Sequence, residues 1–427
     1  MVPHLVTSLT GPINELEQRI LESMPVIERW FRLEWMEHTP PFYCSVDVRN
    51  AGFKIAPVDT NLYPGGFNNL TPDMLPLAVQ AAMALIEKIC PEAKNLLLIP
   101  ENHTRNHFYL ANVKQLMTIF HMAGLNVRLG SLDPAVTQPT DIQLADGSVL
   151  TTEPLIRERG RIKLKHFDPC TILLNNDLSA GIPDILRDLH EQYLLPPLQA
   201  GWAVRTKSRH FQSYEEVAKK FSKVLGMDPW LINPLFENCP AVDFAEGTGL
   251  ECVQNHVDSL LGRIRRKYKE YGITEKPFVI VKADNGTYGM GIMTVRDAKD
   301  LDSLNRRSRN KMSTVKDGQA LSRVIIQEGV PTSERIEDSV AEPVVYMMDR
   351  YVVGGFYRVH GERGIDENLN SPGARFVPME LARLMGQPQI GPAEPNRFYM
   401  YGVLGRLALL AASYEMEATD PQAEQYD

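Results

Sequence analysis

Phe278-Val-Ile-Val281, followed at once by Lys282-Ala-Asp-Asn-Gly286-Thr-Tyr-Gly289-Met-Gly291-Ile292, decides how this chain is read. The apolar run has the length and composition of a buried strand. A lysine closes it and a glycine-rich loop follows. An ammonium at that place meets anionic charge, and glycines let backbone N–H groups close on phosphate oxygens. The combination suits a triphosphate and suggests a protein that uses ATP, although no Walker motif is present. Asp284 lies inside the loop. A carboxylate beside phosphates needs a magnesium ion or an outward turn of its side chain, and the outward turn is expected.

Downstream, Arg323-Val-Ile-Ile-Gln327-Glu328-Gly329-Val330 reads as a strand running into a break. Backbone groups at Gln327, Glu328 and Val330 would meet an adenine edge. Residues 343–349 and 351–358 are two strand candidates with a tight connection, and the second ends at Arg358. Asp366-Glu367-Asn368-Leu369-Asn370-Ser371-Pro372-Gly373 packs carboxylates and amides into a loop, a supply of hard oxygen ligands for magnesium. Residues 303–317 are charged and poor in apolar side chains, which predicts a mobile surface segment. A helix is expected over 401–416.

Upstream, apolar spacing predicts a helix over 13–38 with a break at Pro25. A strand is expected at 42–49 and a turn-rich stretch at Pro64-Gly65-Gly66-Phe67-Asn68-Asn69. Helices are expected at 73–90, 106–123, 213–225 and 254–271. Asn95-Leu-Leu-Leu-Ile-Pro100, 126–130 and 171–174 are short apolar runs typical of strands covered on both faces. The span 131–150 reads as polar connections, and the Pro196-Pro197 region as a boundary. Strand, helix and strand in this order imply a parallel α/β sheet.

Polar clusters follow these strands. They are Asp59, Asn61, Asn68 and Asn69; Glu101, Thr104 and Arg105; and Asn176, Asp177 and Ser179. Carboxyl ends of parallel strands are where open α/β sheets bind ligands, so a shared site is expected. Trp202, Arg205, Lys207 and His210 add a basic cluster.

The bulk properties exclude several classes. The 427 residues are 44% hydrophobic and 23% charged, as in an ordinary globular protein with two or three domains. The net charge of −8 argues against a dedicated nucleic-acid binder. The basic patch at 263–269 reads as a solvated helix face. No apolar run approaches a membrane span, and no secretory signal is visible, so a cytoplasmic setting is expected. Five widely spaced cysteines without a C-x-x-C imply reduced thiols, with neither a disulfide framework nor a zinc site.

The order of lysine strand, glycine loop, hinge, arginine strand and amide–acid loop resembles the ATP-grasp superfamily over residues 200–415. Val58 to Leu70, Glu101 to Asn106, Asn175 to Ser179, Gly201 to Phe211, Lys282 to Ile292 and Gly354 to Pro372 together resemble the bacterial type 3 glutamate–cysteine ligases. That resemblance implies a fold related to glutathione synthetase: an N-terminal parallel-sheet α/β domain (1–200) before a two-lobed ATP-grasp module, with a lid lobe (201–328) and a C-terminal lobe (329–427). It implies ATP-dependent joining of the L-glutamate γ-carboxylate to the L-cysteine amine through a γ-glutamyl phosphate, the first step of glutathione synthesis. Lys282, Gly286, Tyr288, Gly289 and Gly291 would hold phosphates, and Arg358 would stabilise the transferring phosphoryl group. Arg105, Arg205 and Lys207 would hold amino-acid carboxylates. Asp59, Glu101 or Asp177 would bind an α-ammonium. Magnesium would be held by Glu342 or Asp349 with Asn368 and Asn370; the spacing Glu367-Asn368-Leu369-Asn370 departs from the superfamily's E-x-N. Another ATP-grasp amide ligase, a small-molecule kinase and a nucleotide-binding protein without catalysis are the alternatives. The oligomeric state stays open.

Overall fold

Pro25 separates two helices, as its missing N–H requires: α1 (Glu15–Glu22) ends before it, and α2 (Met24–Glu37) carries it in its first turn. The other helices are α3 (Leu75–Ile89), α4 (His107–Met122), α5 (Lys207–Leu225), α6 (Leu250–Glu270) and α7 (Arg397–Ala418). The strands in chain order are β1 (Tyr43–Asn50), β2 (Ile55–Asn61), β3 (Asn95–Pro100), β4 (Asn126–Ser131), β5 (Thr140–Gln143), β6 (Val149–Pro154), β7 (Ile156–Glu158), β8 (Arg161–Lys163) and β9 (Thr171–Asn175). They continue as β10 (Tyr193–Leu195), β11 (Phe236–Cys239), β12 (Val279–Ala283), β13 (Ile292–Val295), β14 (Val324–Glu328), β15 (Arg335–Ile336), β16 (Ser339–Met348), β17 (Tyr351–His360) and β18 (Arg375–Pro378). This computed structural model describes residues 15–102, 105–286, 291–302, 312, 321–379 and 397–421. Thr104, Tyr288, Gly289 and, apart from residue 312, the segment 303–317 lie outside the described residues.

The architecture is mixed α/β. The apolar runs β3 and β9 are central strands of a sheet ordered β10-β9-β3-β4-β6-β5, parallel except for β5. Leu97 sits opposite both Ile172 and Arg128. The span 131–150 is more ordered than its polarity suggested. Val149-Leu150-Thr151-Thr152 alternates exposed and buried positions and joins the sheet as β6, with β5 on its edge.

A second sheet, all antiparallel, runs β18-β17-β16-β1-β2. Its centre unites distant parts of the chain: Asp47 of β1 pairs with Val344 of β16. Residues 43–61 therefore build a sheet with the C-terminal strands, not with the parallel one. The third sheet, β11-β14-β12-β13, is also antiparallel.

Two hydrophobic cores form among the described residues. One runs continuously from the parallel sheet through α3 and α4 to the antiparallel sheet and α7. From Phe398 to Ser413 α7 is buried at every position, Arg406 included, as suits a helix enclosed on all sides. The other core packs α6 on the third sheet.

Candidate active site

Alternation along the antiparallel sheet decides which side chains meet. In β1, Val46 and Val48 enter the core, and Ser45, Asp47 and Arg49 face the other way. Asp47 sits opposite Asp59, Ser45 opposite Asn61, and Glu342 opposite Arg358. One face of the sheet thus becomes a charged floor. Two cavities lie on it, enclosing about 800 and about 1080 Å³ with open solvent included. Both lie near the size range of small-ligand sites.

The first cavity lies between this floor and the third sheet. On β12 and the residue before it, Phe278, Ile280 and Lys282 line it and Val279 and Val281 enter the second core, while Ala283 touches both. Gly286, Gln327, Val330, Glu342 and Asn368 line it as well. Gly291 immediately precedes β13, and its carbonyl accepts from Ala283 N–H. The second cavity lies between the floor and the carboxyl ends of β3 and β9. It takes Asn61, Asn68, Asn69, Glu101, Asp177 and Arg358. Asp47, Asp59 and Asn370 line both cavities, so the two are neighbours across a shared polar seam.

The seam is a chain of ion pairs. Arg358 Nη1 donates to Asp47 Oδ2 at 2.7 Å and to Glu342 Oε1 at 2.6 Å. Arg49 Nε donates to Glu342 Oε2 at 2.8 Å. Burial alone would raise the Glu342 carboxyl, and the two guanidinia more than offset it, holding it low. Burial wins at Asp47, which is raised despite Arg358. Lys207 pairs with Asp59, whose carboxyl is held below its usual range by Lys207 and Lys282 against the effect of burial. Lys282 Nζ donates to the Val58 carbonyl at 2.6 Å and has no carboxylate partner among the described residues. Burial pushes it down to about 8, with Asp59 opposing.

Several expected site residues are elsewhere. Arg205 is buried, with Nε 3.0 Å from Glu415 Oε1 and Nη1 donating to the Thr60 carbonyl at 2.8 Å. His210 Nδ1 lies 3.1 Å from the other Glu415 oxygen, and burial lowers its pKa. Both line neither cavity; they fasten α5 to α7 and β2. Trp202 is buried beneath Arg205 and Lys207, with the two cations 4.9 and 4.6 Å from its ring. Arg105 is exposed. Asn176 accepts from Leu178 N–H, and Ser179 N–H donates to Asp177, so these two shape the turn after β9. Asp349 closes the β16–β17 hairpin at φ 48°, away from both cavities, with Lys88 Nζ 3.7 Å away.

The Glu328 and Gly329 amides donate to Leu235 and Phe278 carbonyls, so these two N–H groups are already used, while Gln327, Glu328 and Val330 all line the first cavity. The Glu328 carboxylate is buried and accepts from Lys54 Nζ at 2.8 Å, Trp230 Nε1 at 3.0 Å and Leu235 N–H at 2.9 Å. Gln327 also faces the cavity, and its buried Nε2 has no partner among the described residues. Asp284 turns away from the cavity but inward: its carboxylate accepts from Ser208 N–H and Oγ, both at 2.7 Å, at the start of α5. The thiol expectation also fails, because Cys239 and Cys252 form a disulfide.

Sequence reasoning missed Asp47 and Arg49. Their alternation with Val46 and Val48 was a signal, but nothing local tells a wet face from a charged floor. Arg49 also donates to the carbonyls of Glu367 at 2.6 Å and Ile365 at 3.1 Å, which fixes the amide–acid loop. It missed Tyr346, whose hydroxyl donates to the Gly65 carbonyl at 2.5 Å. Gly66 has φ 97°, and a Cβ there would lie 2.6 Å from that hydroxyl, so the turn requires glycine.

Asp47, Glu342 and Asn370 bring hard oxygen donors to the seam, the donor set that suits a divalent magnesium ion. Both Glu342 oxygens already accept from guanidinia, but each keeps a further lone pair. The Gln327 amide, without a partner among the described residues, and the Lys282 ammonium, without a carboxylate among them, fit an anionic, hydrogen-bonding ligand in the first cavity.

Two polar cavities sharing a seam of carboxylates and guanidinia suit an enzyme that joins small molecules. The family model GshA, glutamate-cysteine ligase, matches residues 17–416, and the chain belongs to that family. A crystal structure from Methylobacillus flagellatus KT, provisionally named a gamma-glutamylcysteine synthetase, is 60% identical with a TM-score of 0.86, covering 98% of this chain and 100% of that one. D-alanyl-alanine synthetase A from Vibrio cholerae is 11% identical with a TM-score of 0.34, covering 74% of this chain and 81% of that one. A glutathione synthetase-like effector from Globodera pallida is 10% identical with a TM-score of 0.35, covering 83% and 82%. Those two likenesses are too slight to carry an argument. No curated protein sequence gives a significant match. Among the described residues no helix is long and apolar enough to cross a membrane.

Proposed function

We propose that this ligase binds ATP in the first cavity and its amino acids, L-glutamate and L-cysteine, in the second, and that the glutamate γ-carboxylate is phosphorylated at the seam. The observation that carries this reading is the pair of cavities sharing Asp47, Asp59 and Asn370, with Lys282 on one side and Arg358 on the other. Lys282 neutralises phosphate charge, and Gln327 donates to the base or ribose. Arg358, preorganised by Asp47 and Glu342, meets the charge spread over the transferring phosphoryl oxygens. Magnesium, which we assign to Asp47, Glu342 and Asn370 with Asn368 at the rim, supplies charge neutralisation when bound. Glu101, Asp177 and Asp59 hold α-ammonium groups in the second cavity, and Asn61, Asn68 and Asn69 hold carboxylates. The cysteine amine then displaces phosphate to form the amide. We place this chemistry in the cytoplasm, and we keep the division into segments 1–200, 201–328 and 329–427, with 43–61 lent to the C-terminal sheet.

ADP release measured with glutamate alone, cysteine alone and both tests the reading. Release that needs both and yields γ-glutamylcysteine is expected. Equal turnover with glutamate alone would make the protein a kinase, and no turnover with any amino acid would sink the proposal.

A further inference from the structure

Sulfur chemistry is concentrated away from the two cavities. Cys239 and Cys252, 13 positions apart in sequence, are bridged with Cα atoms 6.4 Å apart. Cys239 ends the edge strand β11, and Cys252 lies in the first turn of α6, so the bridge clamps a sheet edge to a helix. The two sulfurs are not equivalent. Cys239 is fully buried, while Cys252 is partly open to solvent. His256, one helical turn beyond Cys252, puts Nδ1 3.5 Å from the buried Cys239 sulfur. An accessible sulfur to attack and a shielded sulfur to leave, the latter beside an imidazole, are what rapid thiol–disulfide exchange needs.

We propose that Cys239, Cys252 and His256 form a thiol–disulfide exchange site whose reactants are low-molecular-weight thiols and their disulfides. An incoming thiolate attacks Cys252 Sγ. The S–S bond breaks, its electron pair goes to Cys239 Sγ, and His256 delivers a proton or hydrogen bond to that leaving sulfur. A mixed disulfide remains on Cys252. A second small thiolate attacks the outer sulfur of this mixed disulfide and releases Cys252 as thiolate, which takes a proton from water. In sum, the bridge and two small thiols give two protein thiols and one small disulfide; the reverse sequence restores the bridge. Small reactants are favoured because Cys252 is only partly exposed. An enzyme that takes cysteine works among free thiols, where bridges are usually transient and sensing. That last point rests on the ligase reading; the exchange chemistry does not. The site is one strand away from the first cavity, since Phe236 of β11 sits opposite Gln327 of β14.

The test reads sulfur chemistry and not ligation, so its failure is separable from failure of the ligase assay. Full-length protein is equilibrated in reduced and oxidised glutathione mixtures, quenched with iodoacetamide and mapped by mass spectrometry. The expected result is that Cys239 and Cys252 become alkylated together on reduction and are protected together on reoxidation. Cys239→Ser should trap glutathione on Cys252. His256→Ala should slow bridge reduction by about three- to tenfold, as a poorer leaving thiolate would. Both cysteines alkylated in every mixture, with one equivalent of bound zinc, would make the trio a metal site and overturn the proposal. A bridge that stays closed in excess glutathione, or a His256→Ala rate equal to wild type, would overturn it as well.

Discussion

Two buried charge networks in this protein use the same residue types for different ends. Beneath α5, Arg205 and His210 converge on Glu415, and all three are sealed from solvent. On the antiparallel sheet, Arg49 and Arg358 converge on Glu342, with Asp47 beside them, and this group opens onto two cavities. Removing charges from water is costly in both places. In the sealed network the return is a fixed junction between helices α5 and α7 and strand β2. In the open one it is a rigid set of charges that a ligand can reach. Burial and pairing alone do not mark function; access from a cavity does.

Arg205→Ala should cost about 3–5 kcal/mol of stability, because Glu415 would stay buried without its guanidinium. Urea unfolding measures this, and a loss under about 1 kcal/mol would erase the contrast. Arg358→Lys keeps a charge on Asp47 but removes the fork. It should lower kcat about 10²–10³-fold with little change in unfolding. A stability loss without a rate loss would move Arg358 into the structural class.

Lys282 sharpens the distinction through pH. Its folded pKa of about 8 lies below the ordinary 10.5. Between those values the unfolded chain binds more protons, so this group's contribution to stability rises with pH across that window. Phosphate binding has the opposite sign, because the ammonium is lost as pH climbs through about 8. The kcat/KM for ATP should therefore fall there, and Lys282→Arg should move the limb upward; an unmoved limb would assign it to another group. The smallest effect is expected at Asp284. Its replacement by alanine removes a cap from α5 and should cost about 1 kcal/mol in thermal unfolding.

Much of this was legible in the sequence, and the limits have physical causes. β3, β9 and β12 were visible because runs such as Leu96-Leu-Leu-Ile99 have one stable environment, a strand covered on both faces. Lys282 was visible because a charge ending such a run needs a purpose. Arg205 and His210 looked like ligands because their partner, Glu415, lies about 200 residues away, and only folding brings it there. Asp349 looked like a metal ligand, yet its strand carries it to the far hairpin. The Cys239–Cys252 bridge had no signature, since an edge strand and a helix must first pack on one core to align the sulfurs.

The position of β1 sets a timetable for synthesis. It is made well before its neighbour β16, whose Val344 sits opposite Asp47. At roughly 5–20 residues per second, β1 waits about 15–60 s on the ribosome with one edge unmatched. Asp47 and Arg49 lie on that edge strand, and charges there deter pairing with other nascent chains. The same two charges thus sit on an open edge during synthesis and on the floor of the cavities afterwards.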